Sequence, residues 1–143
     1  MTRVVGFHHL SLSVSDLAKS TAWYQQVLGL DVAAEFEGDG FRRTRLRAAD
    51  SGVTLTLTRH DEQSGEAFDE RRPGMDHVAI QVGSAEEVQD LKARFEQLGV
   101  DHSDVKASNE GTALITLRDP DNIQIEVFGG PLDPAIAAGN AGN

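Results

Sequence analysis

Two histidines and one glutamate are the residues of this sequence whose types and placement best fit chemistry at a metal ion. His9 and His77 each open a short segment in which apolar and polar side chains alternate, and Glu126 lies in a third such segment. Because successive side chains of a β-strand point to opposite faces, each of the three lies on the face opposite the apolar one. Two imidazoles and a carboxylate suit one divalent ion (Fe, Mn, Zn, Ni or Co) and leave coordination positions open for substrate or water. The alternative is that the three side chains only form hydrogen bonds.

The two histidines occupy the same place in an internal repeat. Residues 9–14 (HLSLSV) and 77–82 (HVAIQV) both precede a helix-like segment that ends in Leu-Gly, at Gly29 and Gly99. A repeat of this kind indicates two copies of one supersecondary unit. The residue that corresponds to Glu126 in the first copy is Thr56, a weak neutral ligand, so a symmetric site lacks its fourth arm.

Each copy is predicted to be a strand, a helix and three further strands. Ser15 or Asp16 can cap the first helix, and Ser84 with Glu87 fits a capping box for the second. The later strands are expected at 31–36, 42–47 and 53–58, then at 101–106, 113–117 and 123–128. The prediction is an α+β fold of two βαβββ modules that form curved mixed sheets around a metal-binding cup. Its parts are a first module over 5–60, a connecting loop over 61–74, a second module over 75–130 and a flexible tail over 131–143.

Composition excludes several classes of function. The 143 residues carry a formal charge of −10 and include no cysteine, so nucleic acid is an unfavourable partner and thiolate metal sites and disulfides are excluded. No apolar run reaches the length of a membrane span, and the first residues do not resemble a signal peptide. We therefore expect a soluble cytoplasmic protein that binds neither nucleic acid nor membrane.

These motifs resemble the vicinal oxygen chelate superfamily, which includes glyoxalases, extradiol dioxygenases, methylmalonyl-CoA epimerases, fosfomycin-resistance thiol transferases and bleomycin-resistance proteins. The similarity covers about residues 5–130 and rests on the first strand and helix, on Asp76-His77-Val-Ala-Ile and on the segment from Arg118 to Glu126. It implies that His9, His77 and Glu126 are the metal ligands. It also implies a cup built from two modules, either within one chain or between two chains, and we expect the protein to be a homodimer.

The resemblance implies a divalent-metal-dependent enzyme whose small oxygenated substrate chelates the metal. The reaction type stays open among dioxygenase, lyase, isomerase and thiol transferase, although Thr56 argues against the four-ligand site of glyoxalase I. Ser11, Thr56 and Gln124 are expected to line the cup, and no general base is identified. The alternative is a non-catalytic, bleomycin-resistance-like protein that binds a drug without metal. A third possibility is a metal with a purely structural role, which would require a filled coordination sphere; Thr56 argues against it.

Three further features have plainer interpretations. The basic run Arg42, Arg43, Arg45 and Arg47 is typical of a solvated strand edge, and the alternative is that one arginine projects into the cup to hold an anionic substrate. Trp23 and Tyr24 are expected in the core. The segment from Asp119 to Asn122 is predicted to be a turn rather than an acid-base pair.

Overall fold

Two copies of a strand, a helix and three strands follow one another along the chain. The computed structural model describes residues 7–131, so most of the predicted tail lies outside the described residues. The first copy contains β1 (Leu10–Ser13), α1 (Leu17–Leu28), β2 (Asp31–Gly38), β3 (Phe41–Arg47) and β4 (Thr54–His60). The second contains β5 (Val78–Val82), α2 (Ala85–Leu98), β6 (Lys106–Ala107), β7 (Ala113–Arg118) and β8 (Gln124–Gly129). The predicted α+β fold is confirmed.

The strands form two separate four-stranded mixed sheets, which we call the first and the second sheet. Their orders are β1-β4-β3-β2 and β5-β8-β7-β6. In each sheet the opening strand runs parallel to the last strand of its copy, and the other pairs are antiparallel. The strands that follow the two histidines, β1 and β5, therefore both lie at a sheet edge.

Both helices begin and end where the sequence predicts. The Asp16 carboxylate accepts a hydrogen bond from the Lys19 backbone N–H at 3.0 Å, and Ser84 caps α2 in the same way. Gly29 and Gly99 end the helices at φ +67°, a left-handed conformation that glycine adopts without strain. Glu87 departs from the predicted capping box, because its carboxylate accepts from the Gly83 N–H rather than from Ser84.

Each helix covers one face of its own sheet, and the apolar core lies between the helices and the sheets. Tyr24 and Val27 of α1 and Val88 and Phe95 of α2 are buried there. The strands contribute alternate apolar residues to the same layer: Leu12, Leu46, Leu55, Leu57, Ala113, Ile115, Leu117, Ile125 and Val127. No helix of residues 7–131 lies over the opposite face of either sheet, which we call the helix-free face, and this face carries mostly polar side chains, as strand alternation requires.

The strand predicted at 101–106 is largely absent. His102 makes one isolated bridge to Leu117, and regular pairing is limited to β6. The Ser103 hydroxyl accepts the Thr116 backbone N–H at 3.0 Å, so a side-chain oxygen replaces the backbone carbonyl that a ladder would use. Serine competes with strand pairing in this way, which explains why the ladder stops here.

The arginine run does not lie at a sheet edge. Its strand, β3, lies between β4 and β2, so the interpretation as a solvated strand edge is wrong. Arg42 faces the helix side and pairs with Glu37 at 3.5 Å. Arg43, Arg45 and Arg47 face the opposite side, together with Thr54, Thr56 and Thr58 of β4.

A buried turn joins the second copy to the first helix. The Tyr24 hydroxyl donates to Asp119 Oδ2 at 2.9 Å, and Asp119 Oδ1 accepts the backbone N–H groups of Asp121 and Ile123. Asp121 in turn accepts hydrogen bonds from the Ser15 N–H and the Ser20 hydroxyl. Burial raises the pKa of both the Asp119 carboxyl and the Tyr24 phenol. The predicted turn is thus present, and it also fixes how the two copies meet.

Within residues 7–131, no helix is both long enough and apolar enough to cross a membrane.

We predict that Tyr24→Phe lowers the free energy of unfolding by about 1 to 3 kcal/mol, because a buried carboxylate loses its hydroxyl donor. Urea denaturation followed by circular dichroism measures the change. Ser20→Ala, which removes only the 3.3 Å contact to Asp121, is the control and is expected to have a smaller effect. Equal losses in the two variants would show that Tyr24 and Asp119 have no special role.

Candidate metal centre

His77 and Glu126 lie together on the helix-free face of the second sheet. Ala79 of β5 pairs with Glu126 of β8, and His77 lies two residues before Ala79, on the same face of its strand. His77 Nε2 is 3.5 Å from Glu126 Oε2. The imidazole is 37% exposed and the carboxylate 17% exposed, so both remain accessible to solvent.

Asp76 forms a hydrogen bond with the imidazole ring of His77. Its Oδ1 lies 2.6 Å from His77 Nδ1, and this hydrogen bond, with the Glu126 charge beside it, raises the pKa of His77. A proton held on Nδ1 leaves the Nε2 lone pair directed toward Glu126. Metal-binding histidines commonly use a carboxylate in this position to set the tautomer and orient the ring.

A line of polar contacts runs from the connecting segment to Glu126. The Gln124 amide donates to Glu126 Oε1 at 3.4 Å, and Arg118 Nη2 donates to Gln124 Oε1 at 3.1 Å. The Arg118 guanidinium is held by two hydrogen bonds to Glu70, of 2.9 and 2.7 Å, which lower the pKa of the Glu70 carboxyl. Bidentate pairing fixes the orientation of a guanidinium, so Glu70 and Arg118 position Gln124 beside the carboxylate.

The other predicted site residues lie on the first sheet. His9, just before β1, is exposed, and its Nδ1 lies 2.7 Å from His8 Nδ1. Ser11 pairs in register with Thr56, and the Ser11 hydroxyl lies 3.0 Å from that of Thr58. Thr56 is buried, and its hydroxyl makes no hydrogen bond to any residue of the described range.

The chain therefore presents two half-sites rather than one assembled triad. His77, Gln124 and Glu126 form one of them; His9, Ser11 and Thr56 lie on the other sheet. Among residues 7–131, no three His, Cys, Asp or Glu side chains are grouped closely enough to hold a metal ion. A cavity of about 750 Å³ lies beside β1, lined by Ser11, Ser13 and much of the connecting segment, and neither His77 nor Glu126 borders it.

The half-site that contains His77 and Glu126 fits a divalent cation. Two ligand atoms that share one such ion, each at about 2.1 Å, lie roughly 3 Å apart. The 3.5 Å separation of His77 Nε2 and Glu126 Oε2 is close to that value, and Asp76 already holds the opposite ring nitrogen. A nitrogen and an oxygen donor suit the borderline divalent metals, and the remaining positions would need donors from elsewhere.

Sequence reasoning missed three residues of this half-site. Asp76 carried a visible signal, since it precedes His77 directly in the chain. Nothing in the sequence links Arg118 to Glu70, because they lie 48 positions apart and meet only through the folding of the connecting segment.

Comparison with known proteins identifies the fold family. The model of the Glyoxalase/Bleomycin resistance protein/Dioxygenase superfamily matches residues 6–127, which is most of the chain. The chain belongs to this superfamily. A relative, the glutathione transferase FosA of Serratia marcescens, is 30% identical over 131 residues, which make up 92% of this chain and 85% of that protein.

Solved members of the glyoxalase superfamily share the arrangement of elements. A glyoxylase/bleomycin resistance protein/dioxygenase domain from Frankia sp. EAN1pec superposes with a TM-score of 0.82 at 29% identity, covering 90% of this chain and all of that one. A mutant of the fosfomycin resistance protein FosX from Listeria monocytogenes superposes with a TM-score of 0.69 at 25% identity, covering 91% and 94%. That FosX structure contains Mn(II) and 1S,2S-dihydroxypropylphosphonic acid.

We predict that Thr56→Val raises the free energy of unfolding, by up to about 1 kcal/mol, because it replaces a buried hydroxyl that has no partner with a methyl group of similar shape. Thermal and urea denaturation measure the change. Thr58→Val is the matched control: the Thr58 hydroxyl contacts Ser11 and accepts from Arg43, so its loss is expected to destabilise. A clear loss of stability in Thr56→Val would show that its hydroxyl is satisfied.

Proposed function

We propose that this protein is a divalent-metal-dependent enzyme that acts on a small oxygenated molecule, and that it works as a homodimer. In the proposed dimer, the first sheet of each chain faces the second sheet of the other. His9 of one copy then joins His77 and Glu126 of its partner around one metal ion. The observation that carries the proposal is the pair of accessible donors, His77 Nε2 and Glu126 Oε2, 3.5 Å apart.

The sheet edges support an arrangement between chains. Strands β1 and β5 are both edge strands, and each follows a histidine of the predicted ligand set. The exposed side chain of Phe128, on the same face of β8 as Glu126, is apolar, as expected at a surface that a second copy would cover. Facing β1 of one chain with β5 of another follows the closed two-fold symmetry that is commonest among homo-oligomers.

The residues around the half-sites have distinct roles in this proposal. Asp76 keeps the His77 proton on Nδ1, and Gln124 holds one oxygen of Glu126, so both ligand atoms are oriented before a ligand arrives. The Ser11 hydroxyl and the Gln124 amide are placed to hydrogen-bond a substrate oxygen. A bound divalent ion would supply Lewis-acid stabilisation of negative charge on that oxygen.

The relatives favour one reaction class over the others. The Serratia relative is a glutathione transferase, which supports thiol transfer ahead of ring cleavage, lyase or isomerase chemistry. The FosX complex holds a dihydroxy phosphonate, which supports a small substrate with neighbouring oxygens.

Metal analysis tests the proposal. Protein purified without chelator or nickel affinity, then incubated anaerobically with Mn(II), Fe(II) or Zn(II), is expected to bind one ion per chain. His77→Ala is expected to weaken that binding by at least about 100-fold and Asp76→Asn by about 10- to 100-fold, because one removes a ligand and the other its orienting partner. His60→Ala, which changes an exposed histidine at the end of β4, is the control and should bind as the wild type does.

Failure of all three metals to bind would contradict the enzyme proposal. Saturable binding of a drug by the same metal-free protein would then favour the non-catalytic binder.

Mixing two defective variants tests the cup between chains. His9→Ala and His77→Ala are each expected to lose the metal site as homodimers. After they are unfolded together and refolded, each mixed dimer regains one intact site, so about a quarter of wild-type metal binding returns under two-fold symmetry. If each cup formed within one chain, every site would keep a lesion and none of the binding would return.

A further inference from the structure

Three arginines of one strand share the helix-free face of the first sheet. Arg43, Arg45 and Arg47 alternate along β3 and pair with Thr58, Thr56 and Thr54 of β4. Because β3 is an interior strand, these side chains lie over the sheet rather than off its edge. Arg45 on β3 lies two inter-strand spacings from Ser11 on β1, with β4 between them, a distance of about 10 Å.

These arginines have no carboxylate partners among the residues that the structure describes. Over residues 7–131, no Asp or Glu oxygen comes within 4.0 Å of Arg43, Arg45 or Arg47, although the chain has 23 acidic residues. Arg42, on the same strand but the other face, does pair with a glutamate. On an acidic protein, three unpaired cations on one face need another explanation than surface solubility.

Arg45 is the least satisfied of the three. Its Nε is buried and makes no hydrogen bond within the described range, and the same holds for the hydroxyl of Thr56, its partner in register. A buried donor without a partner costs free energy, and the cost is larger when the group is charged. Two such donors side by side indicate a place for an acceptor that the chain itself does not supply.

Aromatic rings lie beside two of the guanidinium groups. Arg45 Cζ lies 4.9 Å from the centre of the Phe36 ring, and Arg43 Cζ lies 4.0 Å from that of Phe41. Arg43 is oriented further by its Nε–H, which donates to Thr58 Oγ1 at 3.1 Å. Stacking on a ring leaves the edge of a guanidinium free to donate to two oxygens of a carboxylate or phosphoryl group.

We propose that Arg45, assisted by Arg43 and the Thr56 hydroxyl, binds an anionic group at the far end of the substrate. The group is a carboxylate or a phosphoryl group, whose oxygens match the guanidinium fork. The substrate then has two anchors: neighbouring oxygens at the metal, and an anion over β3, roughly 10 Å across the sheet from Ser11. The position of the reacting end rests on the proposed metal function, whereas anion binding by the first sheet does not need the metal.

Anion titration of the metal-free protein tests this site. Metal is removed on a chelating resin, so that no soluble chelator competes, and ionic strength is held constant with chloride. Sodium phosphate and sodium acetate are the two probes, and the Arg Nε–Hε resonances in ¹⁵N NMR spectra are the readout. We expect a saturable shift of the Arg45 resonance, and the probe that binds more tightly identifies the group.

Arg45→Gln is expected to weaken binding of the better probe about tenfold or more, which is the loss typical of a charge-assisted hydrogen bond. Arg42→Gln, on the opposite face of the same strand, is the matched control and should bind as the wild type does. Arg45→Lys keeps the charge but loses the paired N–H donors of the guanidinium, so it should bind the anion with intermediate affinity. If Arg45→Gln does not fold, the affinity of Arg45→Lys tests whether Arg45 binds the anion.

Three results would overturn the inference: no saturable shift with either probe, equal loss in Arg42→Gln and Arg45→Gln, or full binding by Arg45→Gln. Anion binding in a protein that takes up no metal would contradict the proposed enzyme function and leave this site standing. Normal metal binding without a saturable anion response would contradict the anion site and leave the proposed enzyme function standing.

Discussion

Over residues 7–131, each sheet of this protein packs against a single helix, and one helix can cover only one face. Side chains alternate across a strand, so the covered face collects the apolar residues and the other face is left to polar ones. The helix-free faces carry His9, Ser11 and three arginines on one sheet and His77 and Glu126 on the other. Every functional argument about this molecule depends on those two polar faces and on what brings them together.

The two faces differ in charge and in how far hydrogen bonds already orient their side chains. On the second sheet, Asp76 and Gln124 hold His77 and Glu126 in hydrogen bonds and Arg118 orients Gln124, so these two side chains are positioned within one chain. On the first sheet, Arg45 and Thr56 keep donors that no described residue satisfies. A small molecule that carries neighbouring oxygens at one end and a negative charge at the other would complement both faces. The buried contact between Tyr24 and Asp119 fixes the relative placement of the two copies, and hence the direction in which each face points.

Much of the fold followed from the sequence because its signals are local. Capping residues and glycine stops set both helices, and the repeat predicted the same five elements twice. Strand order is not a local property, so the arginine run was assigned to a sheet edge although β3 is interior. A hydroxyl that replaces a backbone acceptor, as Ser103 does, likewise shows no periodic signal. Alternation placed His77 and Glu126 on one face, but the contact between Arg118 and Glu70 depends on the path of the connecting segment.

The central claim is that two imidazoles and one carboxylate from two copies of the chain meet at a single cation. A crystal structure of the Mn(II)-loaded protein, with the ion located by its anomalous scattering, tests this most directly. We expect one ion per cup, with His9 of one copy and His77 and Glu126 of the other each at about 2.0 to 2.3 Å. An ion bound without His9, or a site formed by all three residues of one chain, would contradict it.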